Sequence, residues 1–265
     1  MSYRKKIYYF ILATVTAACV LLGLARHFLG IGIKGRDFFG RSETETAEDG
    51  NLLSGEYKEE LSSFTSLDMT GSAADVVFEY GDSYAVSVTY AHGMKPVCSV
   101  KDEKLTITQM DAASEHILGV RDTDCIMTVT VPEKAYLARI SVMLDVGSIT
   151  INQLKVNELN IQVGTGNVFC RGISTARAKV ESGTGSIKML GVSFDEMEIL
   201  SGPGDVTLTS STSLDGCSMK LSTDLGDVRV FGESFYTRYE SKVQGQRSLL
   251  IDSDTGNVSV DCEKR

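Results

Sequence analysis

Six short turns rich in glycine, aspartate and asparagine are the first place in this chain to look for chemistry. They read Asp145-Val146-Gly147-Ser148-Ile149, Gly164-Thr165-Gly166-Asn167-Val168, Gly183-Thr184-Gly185-Ser186-Ile187, Gly202-Pro203-Gly204-Asp205-Val206, Asp224-Leu225-Gly226-Asp227-Val228 and Asp254-Thr255-Gly256-Asn257-Val258. A glycine loop cradles phosphate when it opens a helix and runs into Lys-Ser or Lys-Thr. None of these turns does either, so a nucleotide loop is excluded. Asp205 and Asp227 each follow a turn glycine. On neighbouring repeats they would hold a cation only weakly, and the expectation is that these turn acids are satisfied by backbone and water.

Other reactive groups are sparse. His27, His92 and His116 stand in no metal-ligand spacing, so a zinc site or a Ser-His-Asp triad finds no support. Cys19 lies in an apolar run, while Cys98, Cys125, Cys170, Cys217 and Cys262 are scattered through the rest. Five is an odd number, which excludes a complete disulfide framework and favours buried single thiols. Arg177, Lys179 and Glu181 alternate as the outward face of a strand would. Ser182, Ser201 and Thr223 each stand three residues before a turn glycine and read as a stacked hydroxyl ladder at a corner. No catalytic, cofactor-binding or metal-binding residue is assigned, and the expectation is that the protein is not an enzyme.

The turns matter more as architecture. Their glycines fall at 147, 166, 185, 204, 226 and 256, spaced by 19, 19, 19, 22 and 30 residues. Apolar columns accompany them. Five residues before the glycine stand Val142, Ile161, Val180, Ile199, Leu221 and Ile251; two after it stand Ile149, Val168, Ile187, Val206, Val228 and Val258. Similar columns lie at seven before and four after, with mostly polar residues between. Period-two alternation on both sides of a turn means strand, turn, strand with one face buried. One such unit cannot bury that face alone, but a stack of them can. The expected fold is therefore all-β, a parallel β-solenoid with a repeat of about nineteen residues. An antiparallel β-sandwich is the alternative, with each glycine turn as a hairpin tip. Residues 61–137 repeat the texture less regularly: Ala73-Ala74-Asp75 resembles a degenerate turn, and strands are expected at 84–90, 105–109 and 125–131.

The N-terminal part reads differently. Ile7–Ala25 is a run of nineteen residues without a charge, preceded by Arg4, Lys5 and Lys6. At 1.5 Å per residue it spans roughly 29 Å, about the hydrocarbon thickness of a bilayer. A single transmembrane helix is expected; a cleaved secretory signal and a lipoprotein box at Cys19 are alternatives. Residues 1–41 carry a net charge of +6 and residues 42–60 one of −6, so the chain's −9 belongs to residues 61–265. That acidity argues against nucleic acid as a partner. The expected organisation is a basic N-terminus (1–6), an anchor (7–25), a juxtamembrane segment and acidic spacer (26–60) and a β-solenoid domain (61–265).

The stretches SSFTSLDMTGSAADVVFEYGD and DCIMTVTVPE, with the turns GTGNV, GTGSI, GPGDV and LGDV, resemble the bacterial putative-adhesin family across residues 61–262. That is a family of domains of unknown function, some of them similar to the membrane-anchored accessory proteins of Lia-type envelope stress responses. The resemblance implies a β-solenoid in a cell-envelope setting and carries over no catalytic residues. Together these readings point to a non-enzymatic, single-pass membrane protein with its C-terminal domain outside the cytoplasm, binding an envelope polymer or protein. The alternative is a carbohydrate-active solenoid working on wall or capsule polysaccharide, and no cofactor is expected in either case.

Overall fold

Apolar residues alternating on both sides of a glycine turn require two strands that share an inner face, and the chain folds accordingly. The computed structural model describes residues 55–90, 95–109, 125–243, 245 and 247–263. All belong to one compact unit, Asn51–Arg265. Its strands begin with β1 (Gly55–Glu60), β2 (Ser66–Ala73), β3 (Asp75–Gly81), β4 (Ala85–Tyr90), β5 (Val97–Lys101), β6 (Lys104–Thr108) and β7 (Cys125–Pro132). The regular part follows as β8 (Leu137–Val146), β9 (Ile149–Asn152), β10 (Lys155–Thr165), β11 (Val168–Arg171), β12 (Ser174–Thr184), β13 (Ile187–Val192), β14 (Glu196–Pro203) and β15 (Val206–Ser210). The chain closes with β16 (Cys217–Leu225), β17 (Val228–Val230), β18 (Glu233–Ser234), β19 (Arg238–Ser241), β20 (Arg247–Thr255) and β21 (Val258–Cys262). No helix occurs among the described residues. The expected membrane segment 7–25 lies outside them.

Each coil sends a long strand into one sheet, turns at its glycine and sends a short strand into the other. The coils β8–β9, β10–β11, β12–β13 and β14–β15 stack in chain order, every strand parallel to its neighbour. Leu159 lies beside Ile140 and Ala178, and Val168 beside Ile149 and Ile187, so the sequence columns are spatial columns. Their members are buried throughout. Parallel pairing across a turn-sized repeat rules against the hairpin-built sandwich, whose adjacent strands would run antiparallel.

The turn glycines are fixed by close approach. Gly166 has φ +147°, and a Cβ there would sit 1.9 Å from the carbonyl oxygen of Gly147 one coil away. Real carbon and oxygen atoms cannot come so near, so no side chain fits while the coils keep their spacing. The residue after the glycine ties the coils together: Asn167 Oδ1 accepts the Ser186 backbone N–H at 2.9 Å.

At both ends the stack departs from chain order. The long-strand sheet runs β5-β6-β2-β8-β10-β12-β14-β20-β16-β19, and the short-strand sheet β1-β4-β7-β3-β9-β11-β13-β15-β21-β17-β18. The first coil, β2–β3, is thus held between β8–β9 and the strands β6 and β7 that come after it. The last, β20–β21, lies between β14–β15 and the earlier coil β16–β17. Antiparallel strands then close each sheet edge, β1 and β5 at one end, β18 and β19 at the other. These edges carry protective features: β1 reads GEYKEE, and β18 has only two residues. β1 lies within the stretch 26–60 that the sequence assigns to the juxtamembrane segment and spacer, and pairs with β4. Aromatic side chains pack at both ends, Phe64 against Tyr84 and Phe235 against Tyr239.

Candidate functional site

The residues that sequence singled out come together only in part. Asp205 and Asp227 are not on adjacent coils, because Asn257 of the inserted coil stands between them. Asp205 accepts the Asn257 N–H at 2.7 Å, and Asn257 Oδ1 accepts the Asp227 N–H at 3.1 Å. The two turns are joined through Asn257 by a ladder of hydrogen bonds to backbone, and among the described residues no group of three metal-ligating side chains forms. His27, His92 and His116 lie outside the described residues.

The hydroxyl ladder is real and has one more rung. Ser182, Ser201, Ser253 and Thr223 follow one another across the stack, all buried. Ser182 Oγ donates to Gly166 O at 3.3 Å and Thr223 Oγ1 to Gly256 O at 2.9 Å. Ser182 and Thr223 thus prop the glycine corner from inside, while the hydroxyls of Ser201 and Ser253 are buried with no hydrogen-bond partner among the described residues. The five cysteines of the domain are free thiols. Burial pushes Cys170 up to about 12 and Cys125 to about 11, so neither is a thiolate nucleophile at neutral pH.

Arg177, Lys179 and Glu181 do point outward, on the long-strand sheet. Arg139, Glu158, Arg177 and Glu196 form one transverse row of alternating charge over four adjacent strands. In the next rows Lys179 Nζ meets Glu181 Oε1 at 2.8 Å, and that partner raises the lysine's pKa. This row answers acid with base along a depression of about 410 Å³.

A larger concavity lies elsewhere, at the second corner of the coils, where each short strand gives way to the next long strand. A left-handed column makes this corner: Gln153 (φ +52°), Gly172 (φ +64°) and Gly191 (φ +61°), spaced by nineteen residues. Leu154, Ile173 and Phe194 then plug into the core. The groove outside them has a volume of about 720 Å³ and is lined in part by Lys134, Tyr136, Lys155, Thr175, Asp195 and Arg247. Arg247 is held firmly: Nε donates to Phe194 O at 3.0 Å, Nη1 to Ser213 O at 2.7 Å and Nη2 to Thr212 Oγ1 at 3.1 Å. Its guanidinium also lies 5.2 Å from the Phe194 ring centroid. Thr175, at the groove's middle, donates to Arg177 O at 2.8 Å. Sequence reading missed this corner because Gln153 hides the first member of its column. The nineteen-residue step from Gly172 to Gly191 was the available signal.

No curated protein matches the chain. Among solved structures, a putative cell adhesion protein from Clostridium sporogenes shares 14% identity over 80% of this chain and 100% of its own, with a TM-score of 0.47. A putative adhesin from Bacteroides fragilis gives 14% identity, 80% and 98% coverage and a TM-score of 0.44. A putative lipid binding protein from Parabacteroides distasonis gives 14%, 82% and 98%, with a TM-score of 0.29. The family model described as Toastrack DUF4097 matches residues 64–263, from just before β2 to just past the end of β21, leaving out β1. This chain belongs to the Toastrack DUF4097 family.

Proposed function

We propose that the protein is a single-pass envelope protein that presents its Toastrack domain outside the cytoplasmic membrane and binds a partner there without transforming it. The observation that carries this reading is the pairing, in one chain, of an uncharged nineteen-residue run with a β-stack closed at every sheet edge. The first suits an anchor. The second suits a rigid presenter: a charged β1 and a two-residue β18 at its edges oppose strand-to-strand aggregation, and wide outer faces stay available. The acidic stretch 42–54 would hold the domain off an anionic lipid surface. The alternative, turnover of a wall polysaccharide, is less well supported, since Lys179 and Glu181 are bound to each other.

Protease added to cells whose wall is opened but whose membrane is intact tests the topology. Loss of a C-terminal tag from the membrane fraction is the expected result. Full protection would overturn the outward orientation, and release of undigested protein by alkaline carbonate would overturn the anchor.

A further inference from the structure

We propose that the second-corner groove binds an extended anionic carbohydrate chain, one bearing phosphate or carboxylate groups along its length. This deepens the envelope-binding reading above and rests on it for the partner's location. The groove crosses five neighbouring coils, with walls from residues 134–137, 155–157, 174–176 and 193–195 and from Arg247. Four strand intervals of ~4.8 Å make it about 19 Å long. A groove of that length along the stack suits a linear polymer better than a compact metabolite.

Its charge is the second argument. Lys134, Lys155 and Arg247 line it against a single acid, Asp195. Among the described residues none of the three cations forms an ion pair with a carboxylate. The chain as a whole carries −9, so a groove with surplus positive charge is a local exception. Concave sites focus such a field on an incoming anion. The contrast with the outer face of the long-strand sheet is sharp, because there Lys179 already has Glu181 as its partner.

Two features give the surface some built order. Arg247 is fixed by three hydrogen bonds and the Phe194 ring, so a bound anion would not have to immobilise it. Tyr136 is 68% exposed at the Lys134 end. An aromatic ring with a polar tip, left in water, is suited to the apolar face of a sugar. A phosphate polymer and a uronate polymer share this chemistry, and the test separates them.

Full-length protein in non-ionic detergent is titrated with poly(glycerol phosphate), with polygalacturonate and with neutral dextran. Saturable binding of at least one anionic polymer, and none of dextran, is expected, and the polymer that binds identifies the anionic group. Lys134→Glu with Lys155→Glu should weaken binding about tenfold or more and flatten its salt dependence. Lys188→Glu on the opposite sheet should change affinity less than about twofold, as a distant exposed charge does. Melting curves check that the variants fold; if the charge reversals lower the melting temperature, Lys134→Gln with Lys155→Gln replaces them. Binding of neither anionic polymer, equal binding of dextran, or wild-type affinity in the double variant overturns the proposal. Protease accessibility in cells reads location without any ligand. A surface-exposed domain that binds neither probe therefore sinks only this inference, and an inward-facing domain that binds one sinks only the envelope reading.

Discussion

The four central coils and the two ends use the same turn chemistry over very different stretches of chain. In the centre, Asn167 accepts a backbone N–H from a residue 19 positions away. At the C-terminal end the equivalent bond from Asn257 to Asp205 spans 52 positions, and at the N-terminal end that from Ser148 to Asp75 spans 73. Lengthening a closed loop from 19 to 52 residues costs only about 0.9 kcal/mol, and to 73 about 1.2 kcal/mol. In return the chain's last coil, β20–β21, has a coil on both sides, while β16–β17 takes the outer place. The exchange changes which coil lies outermost without changing the number of coil interfaces, so it costs little at equilibrium, and its penalty falls on folding speed, because non-local pairings form late. A terminal coil with one neighbour would fray from the stack; one held between two cannot leave without breaking both interfaces.

The largest effect expected from this comparison is on the core of the inner end coil. Val206 in the centre and Val258 at the end are both fully buried and adjacent in the short-strand sheet. Val206→Asp and Val258→Asp should each unfold the domain or remove several kcal/mol, since each buries a carboxylate without a partner. Thr207→Asp, on the outer face, should change stability by roughly 0.5 kcal/mol. Thermal melts decide the matter: a mild Val258→Asp beside a severe Val206→Asp would mean that the last coil frays and is not locked in.

Removing a coil separates the regions next. Deletion of Gly166–Thr184 joins Thr165 to Gly185 and rebuilds the turn Gly164-Thr165-Gly185-Ser186-Ile187. Leu159 would then meet Met197 and Ile149 would meet Ile187, with every column in phase. The variant should keep a cooperative melt at a lower temperature, because an interior unit is lost without opening an edge. Deletion of only Gly166–Thr175 throws the later columns out of phase and should abolish that melt. Unfolding of the nineteen-residue deletion would show that even the centre depends on a specific order of coils.

How much of this was legible follows from what a side chain can encode. The columns and the turn glycine were readable because the stack imposes the same burial and the same close approach on every coil; Val168, Ile187 and Gly185 carry that demand in their own identity. Which coil lies next to which was not, since Val206 is as well matched to Val228 as to Val258. The 30-residue step before Gly256 marks the place without saying which coil lies beside it. β1 left no signal because an edge strand pairs through its backbone, and GEYKEE has no buried face to alternate. The groove was invisible for a related reason: Lys134 and Lys155 lie 21 residues apart, off the repeat, and Arg247 joins them only because its coil is out of order.

A smaller effect is expected from alkaline pH, and Cys170 supplies the share of it that belongs to the central coils. Cys170 is fully buried in β11 and keeps its proton up to about 12, against an ordinary thiol value of 9.0. Between those values the unfolded chain binds fewer protons than the folded one, so stability should be unaffected below pH 9 and fall as pH rises above it. One thiol accounts for at most about 1.4 kcal/mol per pH unit. Denaturant melts of wild type and Cys170→Val between pH 7 and about 10.5 read the difference. Parallel curves for the two proteins would show that the thiol is not sealed in the stack.

The smallest effect expected reads the coil exchange most directly. Thr207, Ser259 and Arg229 form one outward row of the short-strand sheet, in that order. Chain order would place Thr207 beside Arg229 instead. A double-mutant cycle of Thr207→Glu with Ser259→Lys should therefore give a favourable coupling of about 0.2–1 kcal/mol, the range for opposite charges directly across neighbouring strands. Thr207→Glu with Arg229→Ala should give a smaller one, because two strand spacings put those residues ~9.6 Å apart, close to the screening length of ~10 Å in 0.1 M salt. Raising the salt should shrink the more distant coupling first, since screening grows with separation. Each cycle compares residues on the same solvent-exposed row, so differences in burial largely cancel. A coupling to Arg229 that exceeds the coupling to Ser259 would put β17 next to β15 and return the C-terminal coils to chain order.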